Sequence, residues 1–184
     1  MLTSTQNPLI KQIRKLHSTK ERHKQGLFLV EGTHLIEEAC EVGYPLVAVC
    51  CTPQWQESHQ ILWENVCNQC DRAEVVSQEV LTAIATTVQP DGIVATARRE
   101  SHSAQVPFAG VVIALETIQN PGNLGTIIRT SMAAGAAGLW VSGDSVDLDN
   151  PKVLRASDIL QKIINTYTTT TSFFRAASLN YQRH

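Results

Sequence analysis

The chain has 184 residues, of which 43% are hydrophobic and 17% charged, and its formal net charge is −2. That composition excludes a disordered chain and a globally basic nucleic-acid binder, and it allows one ordinary domain or two small ones with real cores. No apolar run approaches the ~18 residues of a membrane-spanning helix. The start, Met1-Leu2-Thr3-Ser4, has neither a charged n-region nor an apolar h-region, so the expectation is a cytoplasmic protein.

Asn7-Pro8 is a helix start, with Asn as cap and Pro at the first helical position. The spacing predicts a helix over 7–17, with Leu9, Ile10, Ile13 and Leu16 on one face, Lys11 and Lys15 opposite, and Arg14 at the flank. With Lys20, Arg22 and Lys24, six of the fifteen Lys and Arg residues fall in the first 24 positions, against the single acid Glu21. Positive charge gathered at one end of a slightly acidic chain marks a candidate phosphate contact; a solvated helix face is the other reading. Strand 27–30, helix 32–42, strand 46–51, helix 58–69, strand 74–76, helix 77–85 and strand 92–97 follow in alternation. Residues 98–108 read as a polar linker.

All five cysteines, Cys40, Cys50, Cys51, Cys67 and Cys70, lie in this first segment. An odd count argues against a disulfide framework. Cys67-Asn68-Gln69-Cys70 has zinc-ligand spacing, but Cys50-Cys51 ends an apolar strand instead of supplying a second clean pair, and no metal site is expected.

The second segment opens with strand 111–115, followed by Asn120-Pro121-Gly122-Asn123-Leu124-Gly125-Thr126-Ile127-Ile128-Arg129-Thr130 and a strand at Leu139-Trp140-Val141. Strand, glycine-rich turn, helix and strand make the βαβ unit of a parallel sheet. Asn123 is expected as the N-cap, with Leu124, Ile127, Ile128, Ser131 and Gly135 on the inner face. Arg129 lies roughly 140° from Leu124 at ~100° per residue, with no acid three or four positions away. A turn whose amides face outward, followed by an unpaired arginine, suits an electron-rich substrate. An ordinary surface arginine is the alternative. No Gly-Lys-Ser/Thr closes the turn, and Gly122 and Gly125 do not complete G-x-G-x-x-G, so neither nucleotide fingerprint is present.

Residues 120–130 resemble the first signature motif of the SpoU (TrmH) branch of the SPOUT RNA methyltransferases. The resemblance implies methyl transfer from S-adenosylmethionine to a ribose 2′-hydroxyl of rRNA or tRNA. Asn123 matches the asparagine of the family's catalytic site, and Arg129 matches the arginine that activates the ribose hydroxyl or steadies its charge. Position 120, often aspartate in the family, is Asn here. Residues 4–32 and Gln89-Pro90-Asp91-Gly92-Ile93-Val94-Ala95 resemble the substrate-binding domain that precedes the methyltransferase domain, a small ribosomal-protein-like α/β sandwich. The resemblance thus implies an α/β chain with an RNA-binding domain at 1–97, in which Lys11, Arg14, Lys15, Lys20, Arg22 and Lys24 contact RNA. The linker 98–108 and the first part of a parallel-sheet SPOUT domain at 109–157 follow.

Asp144 to Ser157 still read like the family; from Asp158 the resemblance ends, and 158–184 is expected to be a divergent tail. The motifs that build the family's trefoil knot and hold S-adenosylmethionine are not recognisable there. Ser178-Leu179-Asn180 is only a three-residue echo of the last one. A truncated methyltransferase without its knot is therefore expected, its cofactor pocket unidentified. A non-catalytic RNA-binding module derived from such an enzyme is the alternative. Family members are usually homodimers.

Overall fold

The computed structural model describes residues 1–99, 110–157 and the backbone of 166–169. The chain forms two compact units, Met1–Glu100 with Asp149–Pro151, and Ser101–Leu148 with Lys152–His184. Residues 100–108 of the expected linker and Ser178-Leu179-Asn180 lie outside the described residues. Among the described residues no helix is long and apolar enough to cross a membrane.

In the first unit, α1 (Pro8–Lys15) starts where Asn7 Oδ1 accepts from Leu9 N at 2.9 Å. Next come α2 (Thr19–Gln25), β1 (Leu27–Glu31), α3 (Thr33–Glu41), β2 (Leu46–Cys51), α4 (Pro53–Ser58), α5 (Gln60–Gln69), β3 (Cys70–Val75), α6 (Gln78–Ile84) and β4 (Ile93–Arg98). The sheet order is β1-β4-β2-β3, with β4 antiparallel to both neighbours and β2 parallel to β3. Ile10, Ile13 and Leu16 pack with Val80, Leu81 and Ile84 of α6 over Leu29, Cys50 and Val94 of the sheet. Alternation along the strands turns Phe28, Val30, Val49 and Cys51 to the other face, where α3 contacts β1 and α5 contacts β3.

The turn at Gly32 has φ +100°, a region that favours glycine. Its neighbours hold it in place: Asp91 accepts from Thr33 N at 2.9 Å and from the Thr33 hydroxyl at 3.1 Å. Glu31, buried, accepts from Thr86 N at 3.0 Å and from its hydroxyl at 2.6 Å. These bonds tie the segments before β4 to the end of β1.

Three elements of this unit differ from the expectation. The charged stretch Thr19–Gln25 is a helix although it has no apolar stripe, because Arg22 turns inward. The expected helix at 58–69 is preceded by α4, capped by Thr52, whose hydroxyl accepts from Trp55 N at 3.2 Å. β3 begins at Cys70, not residue 74, since half-exposed polar residues pair there with β2.

The second unit holds β5 (Val112–Leu115), α7 (Pro121–Ala133), β6 (Gly138–Ser142), α8 (Pro151–Ser157) and β7 (Thr166–Thr169). Its three strands lie parallel in the order β5-β6-β7, with Ile113 opposite Leu139 and Trp140 opposite Tyr167. Leu124, Ile128, Leu139, Val141 and Val153 form its core. β7 is a strand within the segment expected to be a divergent tail. A run of threonines offers no apolar period to read, but β-branched residues favour the extended backbone, and here the backbone pairs along β6.

Candidate functional site

The head of α7 differs from the expected geometry in one respect that changes its chemistry. Its cap is Asn120, not Asn123: Asn120 Oδ1 accepts from Gly122 N at 2.9 Å and from Asn123 N at 3.3 Å. Pro121 has no N–H, and Leu124 N donates to Asn120 O at 3.0 Å, the first bond of the helix ladder. Every amide of the first turn is therefore satisfied within the chain. The outward-facing amides expected from the glycine-rich turn are not available to an anion. The sequence signal for this cap is Asn-Pro, the same pair that caps α1.

Leu124, Gly125, Ile128 and Ser131 are buried along α7. A Cβ on Gly125 would lie 2.5 Å from Ala156 Cβ, 2.7 Å from Val153 O and 2.8 Å from Ser157 N. Gly125 is thus the point where α7 and α8 cross with no clearance. Asn123 and Arg129 are both exposed. Six residues separate them, so they stand ~9 Å apart along the axis and ~120° apart around it.

The loops leaving β5 and β6 are bonded to each other at the carboxyl ends of the parallel strands, where open α/β sheets take ligands. Thr117 N donates to Ser142 Oγ at 2.9 Å, and the Thr117 hydroxyl donates to Asp144 Oδ2 at 3.2 Å. Ile118 N donates to Ser145 Oγ at 3.1 Å, and the Gln119 amide donates to Asp144 O at 2.7 Å. Hydrogen bonding from Ser142, aided by Thr117, holds the Asp144 carboxyl below the usual range.

Of the six basic residues singled out in the first unit, Lys11, Arg14, Lys15, Lys20 and Lys24 are exposed on α1 and α2. Arg22 is not: it is 1% exposed. Its guanidinium donates to Leu16 O at 3.1 Å, His17 O at 3.3 Å and the Thr19 hydroxyl at 2.8 Å. It joins the end of α1 to the start of α2, which removes it from the set of phosphate contacts. α3, α4 and α5 carry Glu37, Glu38, Glu41, Glu57 and Glu64 and no Lys or Arg.

Burial pushes the Cys50 and Cys51 thiols up to about 12, and burial also raises Cys40, Cys67 and Cys70. Thiols held protonated at neutral pH are poor nucleophiles and poor ligands. Among the described residues no group of three or more His, Cys, Asp or Glu is arranged to hold a metal ion.

Arg22→Ala should lower the unfolding free energy of the first unit by about 1–3 kcal/mol, because buried carbonyls lose their donor. Denaturant unfolding checks this. Gly125→Ala should force α7 and α8 apart and cost about 1–3 kcal/mol or more. A fall in the thermal midpoint of the second unit, with the first unit unaffected, is the expected result.

Comparison with known proteins matches these two units to two families in order. Residues 7–95 match the MRM3-like substrate binding domain, and residues 110–182 match the SpoU rRNA Methylase family. The second match continues past residue 157, where the sequence reading ended the resemblance. An uncharacterized tRNA/rRNA methyltransferase of Synechocystis is 47% identical over 157 residues, covering 85% of this chain and 57% of that protein. The 23S rRNA (guanosine(2553)-2′-O)-methyltransferase of Bacillus subtilis is 30% identical over 156 residues, covering 85% of this chain and 60% of its own length. The chain thus spans less than two thirds of either relative. The AdoMet-bound rRNA methyltransferase of Sinorhizobium meliloti superposes with a TM-score of 0.78 at 26% identity, over 99% of this chain and 67% of that one. A substrate-binding match ahead of a methylase match, on a mixed α/β fold with the signature turn at residues 120–130, makes the chain similar to the SpoU rRNA methylases through both of its units.

Proposed function

We propose that this chain acts in cytoplasmic RNA 2′-O-ribose methylation, the first unit holding rRNA or tRNA and the second presenting the ribose to the methyl donor. The observation that carries the reading is Arg129, exposed on α7 within the signature segment. A ribose hydroxyl is a poor nucleophile until its proton leaves and its oxygen gains negative charge. Arg129, a permanent cation with five N–H donors, is assigned to stabilise that oxygen, and Asn123 to orient the ribose. Homodimer formation through the second unit, and completion of a trefoil knot beyond the described strands, belong to the same reading.

The donor is S-adenosylmethionine, the ligand of the S. meliloti relative. It supplies an electrophilic methyl group when bound. Thr117 N, Ile118 N and the Gln119 amide already donate to Ser142, Ser145 and Asp144, so those donors are engaged within the chain.

The first unit supports a second reading, a non-catalytic RNA-binding module. Five exposed cations project from α1 and α2, while α3, α4 and α5 carry only acids among their fixed charges. That polarity favours phosphate on one layer and repels it from the other.

Reversing Lys11 and Lys15 to Glu should weaken binding to all RNAs alike and flatten the salt slope by roughly 0.7 to 0.9 per contact removed. Filter binding across a salt series measures this, and an unchanged slope would leave the cluster as a solvated face. For the chemistry, labelled methyl transfer to RNA is assayed with this chain and with this chain extended by a relative's carboxy-terminal segment. Arg129→Ala should cost about 2.7 to 4 kcal/mol in the transition state, by analogy with removing one oxyanion donor. RNA affinity should change little. Undiminished methylation without Arg129 would refute its role, and RNA binding with no methylation by either form would favour the binding module.

A further inference from the structure

Thr117 is the one non-glycine residue with positive φ among the described residues, at +58°. Threonine is β-branched, and its Cβ makes the left-handed region costly; such strain survives only where surrounding bonds over-determine it. Here the determining bonds come from the next strand's loop. Ser142, 1% exposed, takes the Thr117 N–H at 2.9 Å. Asp144 takes the Thr117 hydroxyl at 3.2 Å. Ser142 and Ser145 share a hydrogen bond at 2.9 Å, and Ser145 takes the Ile118 N–H at 3.1 Å. Val146 N closes the set by donating to Ile118 O at 2.8 Å. Three residues further on stands Asn120, the cap of α7.

We propose that Asp144, with Ser142 and Ser145, is a positioning residue for the signature segment, holding Thr117 in its strained conformation and thereby fixing where α7 begins. Asp144 touches no reacting atom; it acts through Thr117 and the cap. The importance of that position rests on the methyltransferase reading, but the holding itself does not. The β6 loop is therefore a clasp on the β5–α7 turn. Its ionised carboxylate is the stronger form of the acceptor, since a charged acceptor makes the shorter, tighter bond.

The test reads amide hydrogen exchange at residues 118–123 in the full chain, which involves no methyl transfer and so fails independently of the functional reading. Asp144→Ala should speed exchange there by roughly five- to a hundredfold, with β1–β4 amides unchanged. Asp144→Asn, which keeps an acceptor for the Thr117 hydroxyl, should restore most of the protection. Thr117→Val removes the hydroxyl and keeps the strain, whereas Thr117→Gly removes both. Exchange in the glycine variant should be slower than in the valine variant, because glycine adopts this backbone unaided. If Asp144→Ala unfolds the second unit, the valine and glycine pair decides the matter alone. Equal exchange in that pair, or parent-like exchange in Thr117→Val or in Asp144→Ala, overturns the proposal.

Discussion

The second unit is organised around a contact with no slack, the crossing of α7 over α8 at Gly125. A single methyl group there would meet Ala156 Cβ at 2.5 Å and two backbone atoms within 2.8 Å. Side-chain contacts in a core have rotamers through which to yield, but this one is made largely by backbone. With Gly125 and Ile128 turned inward, the rotation of α7 about its axis is fixed. Asn123 and Arg129 then face solvent as a consequence, without any bond of their own being required. The second motif glycine therefore acts at a distance: it sets the helix, and the helix sets the exposed position of Arg129.

Much of this was legible from residue type and spacing, and the errors share a cause. The βαβ unit followed from apolar runs around a helix period, and the apolar face of α1 from Leu9, Ile10, Ile13 and Leu16. Features held by individual polar bonds were not legible in the same way. Arg22 sits in a run of cations, and only its three carbonyl and hydroxyl acceptors distinguish it from its solvated neighbours. The cap of α7 was displaced by three residues because Asn120 and Asn123 are equally good caps by type. Pro121 separated them, since proline at the first helical position makes the residue before it the cap. β7 was missed for the opposite reason. Hydrophobic patterning says nothing about Thr166–Thr169, and the pairing with β6 comes from backbone groups.

Charge is distributed in the first unit as sharply as burial is. The layer of α1 and α2 exposes Lys11, Arg14, Lys15, Lys20 and Lys24, and the helices of the other layer carry five glutamates. A net charge of −2 averages the two and conceals both. An ordered field of this kind steers a polyanion toward one layer and away from the other, so it sets orientation as well as affinity. Arg22 contributes from inside: by bonding the end of α1 to the start of α2 it holds the two cationic helices as one surface.

The head of α7 shows how the remaining work is divided. Helix N-termini commonly bind anions because their first amides lack partners and the dipole favours negative charge. Here the amides are accounted for one by one: Pro121 has none, Gly122 and Asn123 donate to the Asn120 side chain, and Leu124 donates to the Asn120 carbonyl. A neutral cap that takes both free donors closes the terminus to phosphate. What the helix still offers an electron-rich group is its side chains, and Arg129 is the only cation among them. Under the proposed reading, recognition of negative charge in the second unit falls to this single long, flexible donor two turns along the helix. A glycine-rich turn of this sequence serves as a rigid mount for that arginine, and its glycines answer to packing and capping before they answer to a ligand.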